Sequence, residues 1–281
     1  MRLTVGVPVY NGVGDIEECL SCIVRQTTDA FRIVISDNAS TDGTSEICAE
    51  FARNHPNVEH YRHEQTSDAT TNFLWLLNRC EDDLFMWRAH DDLGSNDQIE
   101  KLMALFADPA CRLAVSPVET RRIRENGEVK IRQHDLPAGL NGEGTASAMQ
   151  ARLMGAHQSW FYGMWHRETL SFTFGDVWAA YPEGWGSDHL TLVPPLLEDS
   201  VRGAPETRFI QRIGQTQGPS NESWQQMRQR RQTTGALLAR QIAEANISPT
   251  DRAAASAIAQ RWLDKRIHSR FRILKRRLNL R

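Results

Sequence analysis

The sequence lacks the features that would place the protein in a membrane or outside the cell. No run of about 18 apolar residues occurs in its 281 residues, so no membrane-spanning helix is predicted. The N-terminus enters an apolar strand pattern at Leu3 without the apolar stretch of a signal peptide. The five cysteines are odd in number, and Cys19 and Cys22 form a Cys-x-x-Cys without a second one. We therefore expect a cytoplasmic protein with buried, unpaired thiols and no zinc site.

The phosphate-binding loops that sequence motifs identify most readily are also missing. Neither Gly-x-Gly-x-x-Gly nor Gly-x-x-x-x-Gly-Lys-[Ser/Thr] occurs. A dinucleotide-binding Rossmann domain and a P-loop nucleotidase are therefore not supported.

Negative charge is scarce at the C-terminus. Residues 261–281 hold nine Lys or Arg and one Asp, a charge of +8, so residues 1–260 carry −10 within the net charge of −2. The segment predicts a basic amphipathic helix suited to an anionic membrane surface. The alternative is a terminal helix docked on the acidic body of its own chain, and that acidic body argues against nucleic acid. The apolar residues near helical spacing are Trp262, Ile267, Phe271, Leu274 and Leu278.

Short apolar strand patterns alternate with amphipathic helices over residues 1–117 and predict a mostly parallel sheet flanked by helices. Residues 118–220 are irregular, with a hairpin turn expected at Asn126-Gly127. Residues 221–281 predict a helical extension that is interrupted near Ser248-Pro249. The predicted strands are Leu3–Val9, Phe31–Ser36, Val58–Arg62, Leu84–Trp87 and Leu113–Pro117.

An adjacent acidic pair, Asp91-Asp92, follows the apolar run Leu84–Trp87. Two carboxylates at the end of a buried strand repel each other unless a cation, most often a divalent metal, lies between them. An ordinary loop or helix N-cap is the alternative for this pair taken alone.

Polar loops follow two further strands of the predicted sheet, at Pro8–Gly12 and Asp37–Thr44. The carboxyl ends of parallel strands lie at one edge of a sheet, and ligands bind there, so the three loops should converge. Simple turns remain the alternative for Asn11-Gly12 and Ser40–Gly43.

These three segments together resemble the family 2 glycosyltransferases of the GT-A fold. The matching stretches are Val5–Gly12, Ile33–Thr44 and Phe85–Asp92, in the order that the family has them. The resemblance implies a GT-A type, Rossmann-like α/β fold and an inverting enzyme. Such an enzyme transfers a sugar from a nucleoside diphosphate sugar, with Mg²⁺ or Mn²⁺ on the diphosphate, to a hydroxyl of a cell-surface glycan or lipid-linked precursor. Residues 1–117 would form the nucleotide-sugar-binding half of the GT-A domain, and residues 118–220 its acceptor-binding half.

The resemblance also implies roles for individual residues. Asp37 would read the base, most often uracil, Asp91 would face the ribose and Asp92 would bind the metal. Ala89 stands where the family has the first acidic residue of Asp-x-Asp, so the acidic pair acts alone. The base and ribose pocket would be lined by Pro8, Tyr10 and Asn11.

An inverting transfer needs a base for the acceptor hydroxyl, and the family places it on a loop that opens a helix in the second half. Asp188 is the expected base, Glu183 the reserve and His189 a residue that tunes Asp188. Trp185 would stack on a sugar face. A helix N-cap is the alternative for Asp188, and core packing is the alternative for Trp185.

The family's Arg-x-His near the end of the catalytic domain corresponds to Arg212-Ile213-Gly214, so the His is replaced by Gly214. Gln215 or Gln217 would substitute for it, or the metal would bind weakly without substrate. Two alternatives therefore remain for the function: a nucleotide-sugar-binding protein without transferase activity, and a nucleotidyltransferase, although the Gly-rich first loop of the latter is absent.

Overall fold

The computed structural model describes residues 1–124, 126–142, 144–181, 186–213 and 222–278. The chain divides into two compact units. The first unit consists of residues 1–136, 162–171 and 202–215, and the second of residues 137–161, 172–201 and 216–281. The divisions expected at residues 117 and 220 concern donor and acceptor functions rather than compactness, and they stay a prediction.

Strands and helices alternate through the first part of the chain. The strands are β1 (Leu3–Val9), β2 (Phe31–Asp37), β3 (Val58–Arg62), β4 (Leu84–Trp87), β5 (Leu93–Gly94), β6 (Leu113–Val115), β7 (Val118–Ile123), β8 (Val129–His134), β9 (Met164–His166), β10 (Val201–Gly203) and β11 (Phe209–Ile213). The helices are α1 (Ile16–Val24), α2 (Thr44–Asn54), α3 (Ala69–Arg79), α4 (Gln98–Ala104), α5 (Ala146–Gly155), α6 (Arg167–Ala180), α7 (Ser187–Leu197), α8 (Trp224–Glu244), α9 (Pro249–Arg266) and α10 (Arg270–Arg277).

The central sheet of the first unit has seven strands in the order β10-β6-β9-β4-β1-β2-β3. Strand β1 pairs in parallel with β2 and β4, and β2 pairs in parallel with β3. All seven residues of β1 are buried, as expected for a strand covered on both faces. The prediction of a mostly parallel α/β sheet is confirmed. Strand β9, which the sequence did not predict, lies antiparallel between β4 and β6.

Pro8 lies inside this central strand although proline has no amide hydrogen to donate. The pairing of β1 with β4 ends at Gly6 and Trp87, so no β4 residue lies opposite Pro8. On the other side Pro8 stays in register with Ser36 of β2. The missing donor therefore falls where the neighbouring strand has already ended.

A second sheet of the first unit has the order β5-β11-β7-β8. The antiparallel pair of β7 and β8 turns at Asn126-Gly127, where Gly127 has a φ of +79°. The predicted hairpin turn is therefore confirmed. Strand β11 pairs in parallel with β7 and antiparallel with β5.

The second unit is mainly helical, and cationic side chains close several of its helices at the C-terminal end. Arg152 donates to the carbonyl oxygens of Leu196 and Leu197, which end α7. Arg252 donates to carbonyl oxygens of Ile242 and Ala243 in the last turn of α8. Because the last carbonyl groups of a helix have no partner within it, these side chains complete the hydrogen bonding of the unit.

The basic C-terminal segment forms two helices rather than the single amphipathic helix that the sequence predicted. Helix α9 ends at Arg266 and α10 begins at Arg270, with Ser269 as its N-cap. Trp262 is 3% and Ile267 6% exposed, so both belong to the core. No helix in the described part of the chain combines the length and apolar composition that crossing a bilayer requires.

Candidate functional site

The loops that follow β1 and β2 are held together by direct hydrogen bonds. The backbone amide of Asn11 donates to Ser40 Oγ at 2.9 Å, and the backbone amide of Thr41 donates to Asn11 Oδ1 at 2.9 Å. The Gly12 amide donates to Thr44 Oγ1 at 2.9 Å. Asn11 has a φ of +49°, a conformation that asparagine tolerates better than most residues. The side chain of Asn11 therefore shapes the loop instead of standing free in a pocket.

The loop after β4 reaches the same place. The Arg88 amide donates to the Gly6 carbonyl oxygen at 2.9 Å, which continues the strand pairing. A Cβ atom on Gly12 would lie 2.4 Å from Cδ2 of His90, so the loops after β1 and β4 approach each other closely at Gly12. The convergence of the three loops at one edge of the sheet is confirmed.

Asp37 is enclosed in this edge with no exposed surface. Its Oδ1 accepts a hydrogen bond from the Ser40 amide at 2.9 Å. Its Oδ2 lies 3.7 Å from Arg62 Nε and 3.9 Å from His60 Nε2, beyond hydrogen-bond distance. Burial alone would raise the pKa of Asp37, but the favourable interactions of its carboxylate with His60 and Ser40 are larger. Together these effects lower the pKa to about 2. The carboxylate is thus ionised and faces its own loop and β3.

The two members of the acidic pair have different environments. Asp92 is 2% exposed, and its Oδ1 accepts a hydrogen bond from the Arg212 amide at 2.9 Å. Asp91 is partly exposed, and no group among the described residues donates to its carboxylate. Burial, and next the charge of Asp91, raise the pKa of Asp92 to about 8. Of the two carboxylates, that of Asp91 is the one available to a ligand.

Arg212 of β11 fixes the backbone of the acidic pair. Its Nε donates to the Asp91 carbonyl oxygen, and its Nη1 lies 2.5 Å from Glu18 Oε2 and 3.4 Å from Asp15 Oδ1. The side chain therefore joins α1, β11 and the loop after β4. The sequence drew attention to this arginine through the family pattern but not to its contacts.

Arg88 is a second arginine beside the pair, and no sequence pattern pointed to it. It is 2% exposed, its Nη2 donates to Gln98 Oε1 at 2.6 Å, and its guanidinium lies 5.1 Å from the centre of the Phe209 ring. Its Nε and Nη1 have no hydrogen-bond partner among the described residues. The positive charge of Arg88 favours the ionised form of Asp92 and so partly offsets the rise of its pKa.

Two other predicted donor-site residues differ in exposure. Pro8 is buried within β1, whereas Tyr10 is 48% exposed directly after it. Tyr10 therefore presents an aromatic ring at the loop edge.

Asp188 belongs to the second unit, in the first turn of α7. Its Oδ1 accepts a hydrogen bond from the His189 amide at 2.7 Å, while the His189 ring packs against Trp262. Burial raises the pKa of Asp188 to about 6, partly offset by the charge of Arg266. Burial lowers the pKa of His189 to about 3, so its ring is neutral at pH 7. Trp185, Glu183, Gly214, Gln215 and Gln217 lie outside the described residues.

A divalent cation fits at the Asp91 carboxylate if a substrate supplies most of its other ligands. No group of three or more His, Cys, Asp or Glu side chains among the described residues could enclose a metal ion. Mg²⁺ and Mn²⁺ commonly bind through one or two carboxylates and the phosphates of a substrate. Asp91, with no protein donor on its carboxylate, fits that arrangement.

Comparisons with solved structures match the fold. The chain superimposes on S. aureus TarS with a TM-score of 0.68 at 15% identity, covering 96% of this chain and 44% of TarS. TarS residues 1–349 have also been solved with UDP. The mannosyltransferase PcManGT from Pyrobaculum calidifontis, solved with GDP-Man and Mn²⁺, matches with a TM-score of 0.57 at 17% identity, covering 94% of this chain and 72% of that one. The fold is that of GT-A glycosyltransferase structures, as predicted.

The sequence comparisons identify the family. An uncharacterized protein of Mycobacterium tuberculosis is 28% identical over 165 residues, which are 56% of this chain and 50% of that protein. The chain thus spans only about half the length of this relative and of TarS. The family model described as glycosyl transferase family 2 matches residues 4–168, and transferase is the enzyme class expected from the sequence. On this match, the chain belongs to glycosyl transferase family 2.

Proposed function

We propose that the protein is an inverting, metal-assisted glycosyltransferase that moves a sugar from a UDP-sugar to a hydroxyl group of a cell-surface glycan or a lipid-linked precursor. The observation that carries the proposal is the open Asp91 carboxylate at the edge where three strand-end loops meet. Membership of glycosyl transferase family 2 supports the reaction class. The UDP complex of TarS supports the choice of nucleotide.

On the donor side, the exposed Tyr10 ring stacks on the base, and Pro8 and Asn11 give the loop beneath it its shape. The sequence-based role of Asp37 as a direct base contact stays a prediction. Its complete enclosure favours an indirect role, because the ionised carboxylate binds the Ser40 amide and lies close to Arg62. We propose that Asp37 orders the loop that meets the nucleotide.

The exposures of the acidic pair favour an exchange of the roles predicted from the sequence. Asp92 was the expected metal ligand and Asp91 the expected ribose contact. Because Asp92 is enclosed and bonded to the Arg212 amide, we propose that Asp91 holds Mg²⁺ or Mn²⁺ and Asp92 fixes the loop. A divalent cation there supplies neutralisation of the diphosphate leaving group. The Mn²⁺ in PcManGT supports this cofactor class.

Asp188 is the proposed base that accepts the proton of the acceptor hydroxyl. Its pKa of about 6 supports the role, because the carboxylate is ionised at pH 7 and remains basic enough to take a proton. Trp185 remains proposed as a sugar-stacking residue. The proposed compartment is the cytoplasm, supported by five cysteines that are all unpaired and buried.

Thermal unfolding with UDP and Mn²⁺ tests the proposal. Ligands that bind the native state raise its apparent stability, so UDP with Mn²⁺ should raise the unfolding temperature more than UDP alone. Asp91→Asn should remove the Mn²⁺-dependent part. Asp92→Asn should keep it, because an asparagine oxygen can still accept the bond from the Arg212 amide. Loss of the Mn²⁺ effect in Asp92→Asn alone would return the metal to Asp92.

Hydrolysis or transfer assays then separate a transferase from a binding protein. Metal-dependent release of UDP from a UDP-sugar is the expected result. Stabilisation by UDP-sugars without any turnover, across a panel of acceptors, would favour the nucleotide-sugar-binding alternative that Ala89 and Gly214 suggested.

A further inference from the structure

Helix α10 exposes an apolar stripe. Phe271, Leu274 and Leu278 are 69%, 49% and 55% exposed and follow one another at spacings of one helical turn. Ile273, on the opposite side of the helix, is partly buried. No residue of α10 is fully buried. The helix thus rests on the unit through one side and presents three large apolar side chains on the other.

Cations flank this stripe. No carboxylate among the described residues forms an ion pair with a cation of α10. By contrast, three arginines elsewhere in the unit each pair with a carboxylate, namely Arg230, Arg231 and Arg240. The polar contacts of the α10 side chains are to neutral acceptors, such as the Glu222 carbonyl oxygen that Arg276 Nε contacts at 3.2 Å. The basic residues of α10 are Arg270, Arg272, Lys275, Arg276 and Arg277.

The positive surface continues from α10 onto α8. A cavity of about 470 Å³ between these helices and α9 is lined by Arg228 and Arg231 of α8 and by Arg270 of α10, with no carboxylate in its lining. Arg231 pairs with Asp264 at 2.9 Å, so the cations of this surface that have no carboxylate partner among the described residues are Arg228 and those of α10.

Helix α10 packs beside α8, where Arg277 lies over the Trp224 ring. Its contacts with Asp264 and Glu222 use the Arg270 backbone amide and the Glu222 carbonyl oxygen, so they are not the ion pairs that docking of a basic helix on an acidic surface would give.

We propose that α10 docks on a membrane surface that contains anionic lipids. A short helix with exposed Phe and Leu on one side and flanking Lys and Arg can place its apolar stripe at the acyl boundary while the cations meet lipid phosphates. Nucleic acid would use the cations but leave the apolar stripe in water. The partner is therefore an anionic bilayer, and this inference does not depend on the donor site.

Vesicle sedimentation of the full chain tests this inference. The protein should sediment with vesicles of phosphatidylcholine and phosphatidylglycerol, weakly with phosphatidylcholine alone, and less as salt is raised. Phe271→Ser with Leu274→Ser should reduce binding strongly. Phe172→Ser is the matched control, because Phe172 is 75% exposed in the same unit but lies on α6. Replacing Lys275 and Arg277 by Glu should weaken binding roughly tenfold or more.

All these side chains are partly or fully exposed, so the unfolding temperature of each variant should stay near that of the wild type and a folding defect can be recognised. Equal sedimentation with neutral and anionic vesicles would overturn the role of the cations. Equal losses in the Phe271 and Phe172 variants would overturn the role of the stripe. Absence of wild-type binding to any vesicle would overturn the inference as a whole.

Discussion

In both units charged side chains bind backbone groups, but they do so in different structural elements. In the first unit, charged groups order loops at a strand edge: Asp37 binds the Ser40 amide, and Arg212 binds the backbone of the acidic pair. In the second unit, cations complete helix ends, as Arg152 does for α7, and Lys265 and Arg266 donate to the Met154 carbonyl oxygen near the end of α5.

This difference shows that the number of charges in a region does not reveal a ligand site. An arginine that donates to helix-end carbonyl groups already has its partners, and its substitution costs stability rather than binding. The informative groups are those that the fold leaves without a partner of opposite charge. In the first unit that group is the Asp91 carboxylate. In the second unit it is the cation set of α10, which makes hydrogen bonds and ring contacts but has no carboxylate partner among the described residues.

The proposed role of Asp188 as the base would break this contrast, because it places a catalytic carboxylate in the second unit. Asp188→Asn should lower kcat by a factor on the order of 10² without weakening UDP binding. Since the pKa of Asp188 is raised to about 6, its basic form is lost as the pH falls, and wild-type kcat should fall below about pH 6. Steady-state kinetics over pH 5 to 8, a range chosen around that pKa, measure both effects.

The matched control is Asp251→Asn, which changes a carboxylate in the first turn of α9 of the same unit. It should leave kcat and the pH profile unchanged. Wild-type activity in Asp188→Asn would restrict Asp188 to the structural role of a helix-terminal carboxylate.

Much of the first unit could be predicted because its signals are local. Strands β1, β3 and β4 have the predicted bounds, since each is a short apolar run between polar loops. The convergence of the loops follows from parallel pairing alone, which brings the carboxyl ends of neighbouring strands together. Local sequence patterns were therefore enough to predict the edge of the sheet at which the three loops meet.

The contacts that distinguish one carboxylate from the other could not be predicted in this way. Asp92 is enclosed by Arg212, which lies 120 residues further along the chain, and no local pattern reports such a contact. The break between α9 and α10 was missed for a similar reason. The apolar spacing continues through Ile267, but that side chain packs in the core whereas Phe271 faces solvent.

Asp37 tests whether the carboxylates of the first unit act through loop order. Its pKa lies below the ordinary value of 3.8, at about 2, so its contribution to stability is complete above pH 4 and is lost as the pH falls toward 2. The shift corresponds to about 2 kcal/mol. Asp37→Asn should therefore be less stable at pH 7 and lose less on acidification, as measured by urea unfolding at a series of pH values. The exposed Asp29 provides the control, and Asp29→Asn should follow the wild type.

Arg212 sharpens the contrast further, because it is an arginine that donates to the backbone of the Asp91-Asp92 loop rather than to a helix end. Arg212→Ala removes the bond to the Asp91 carbonyl oxygen while its own amide can still donate to Asp92. We expect kcat/KM to fall roughly tenfold, about 1.4 kcal/mol, through a higher KM for the UDP-sugar.

Arg212→Lys should recover part of the loss, since a single ammonium group can reach one of the acceptors. Glu18→Gln removes only the ion pair to α1 and should cost much less. If Glu18→Gln were as damaging as Arg212→Ala, the contact with α1, and not the hold on Asp91, would account for the effect.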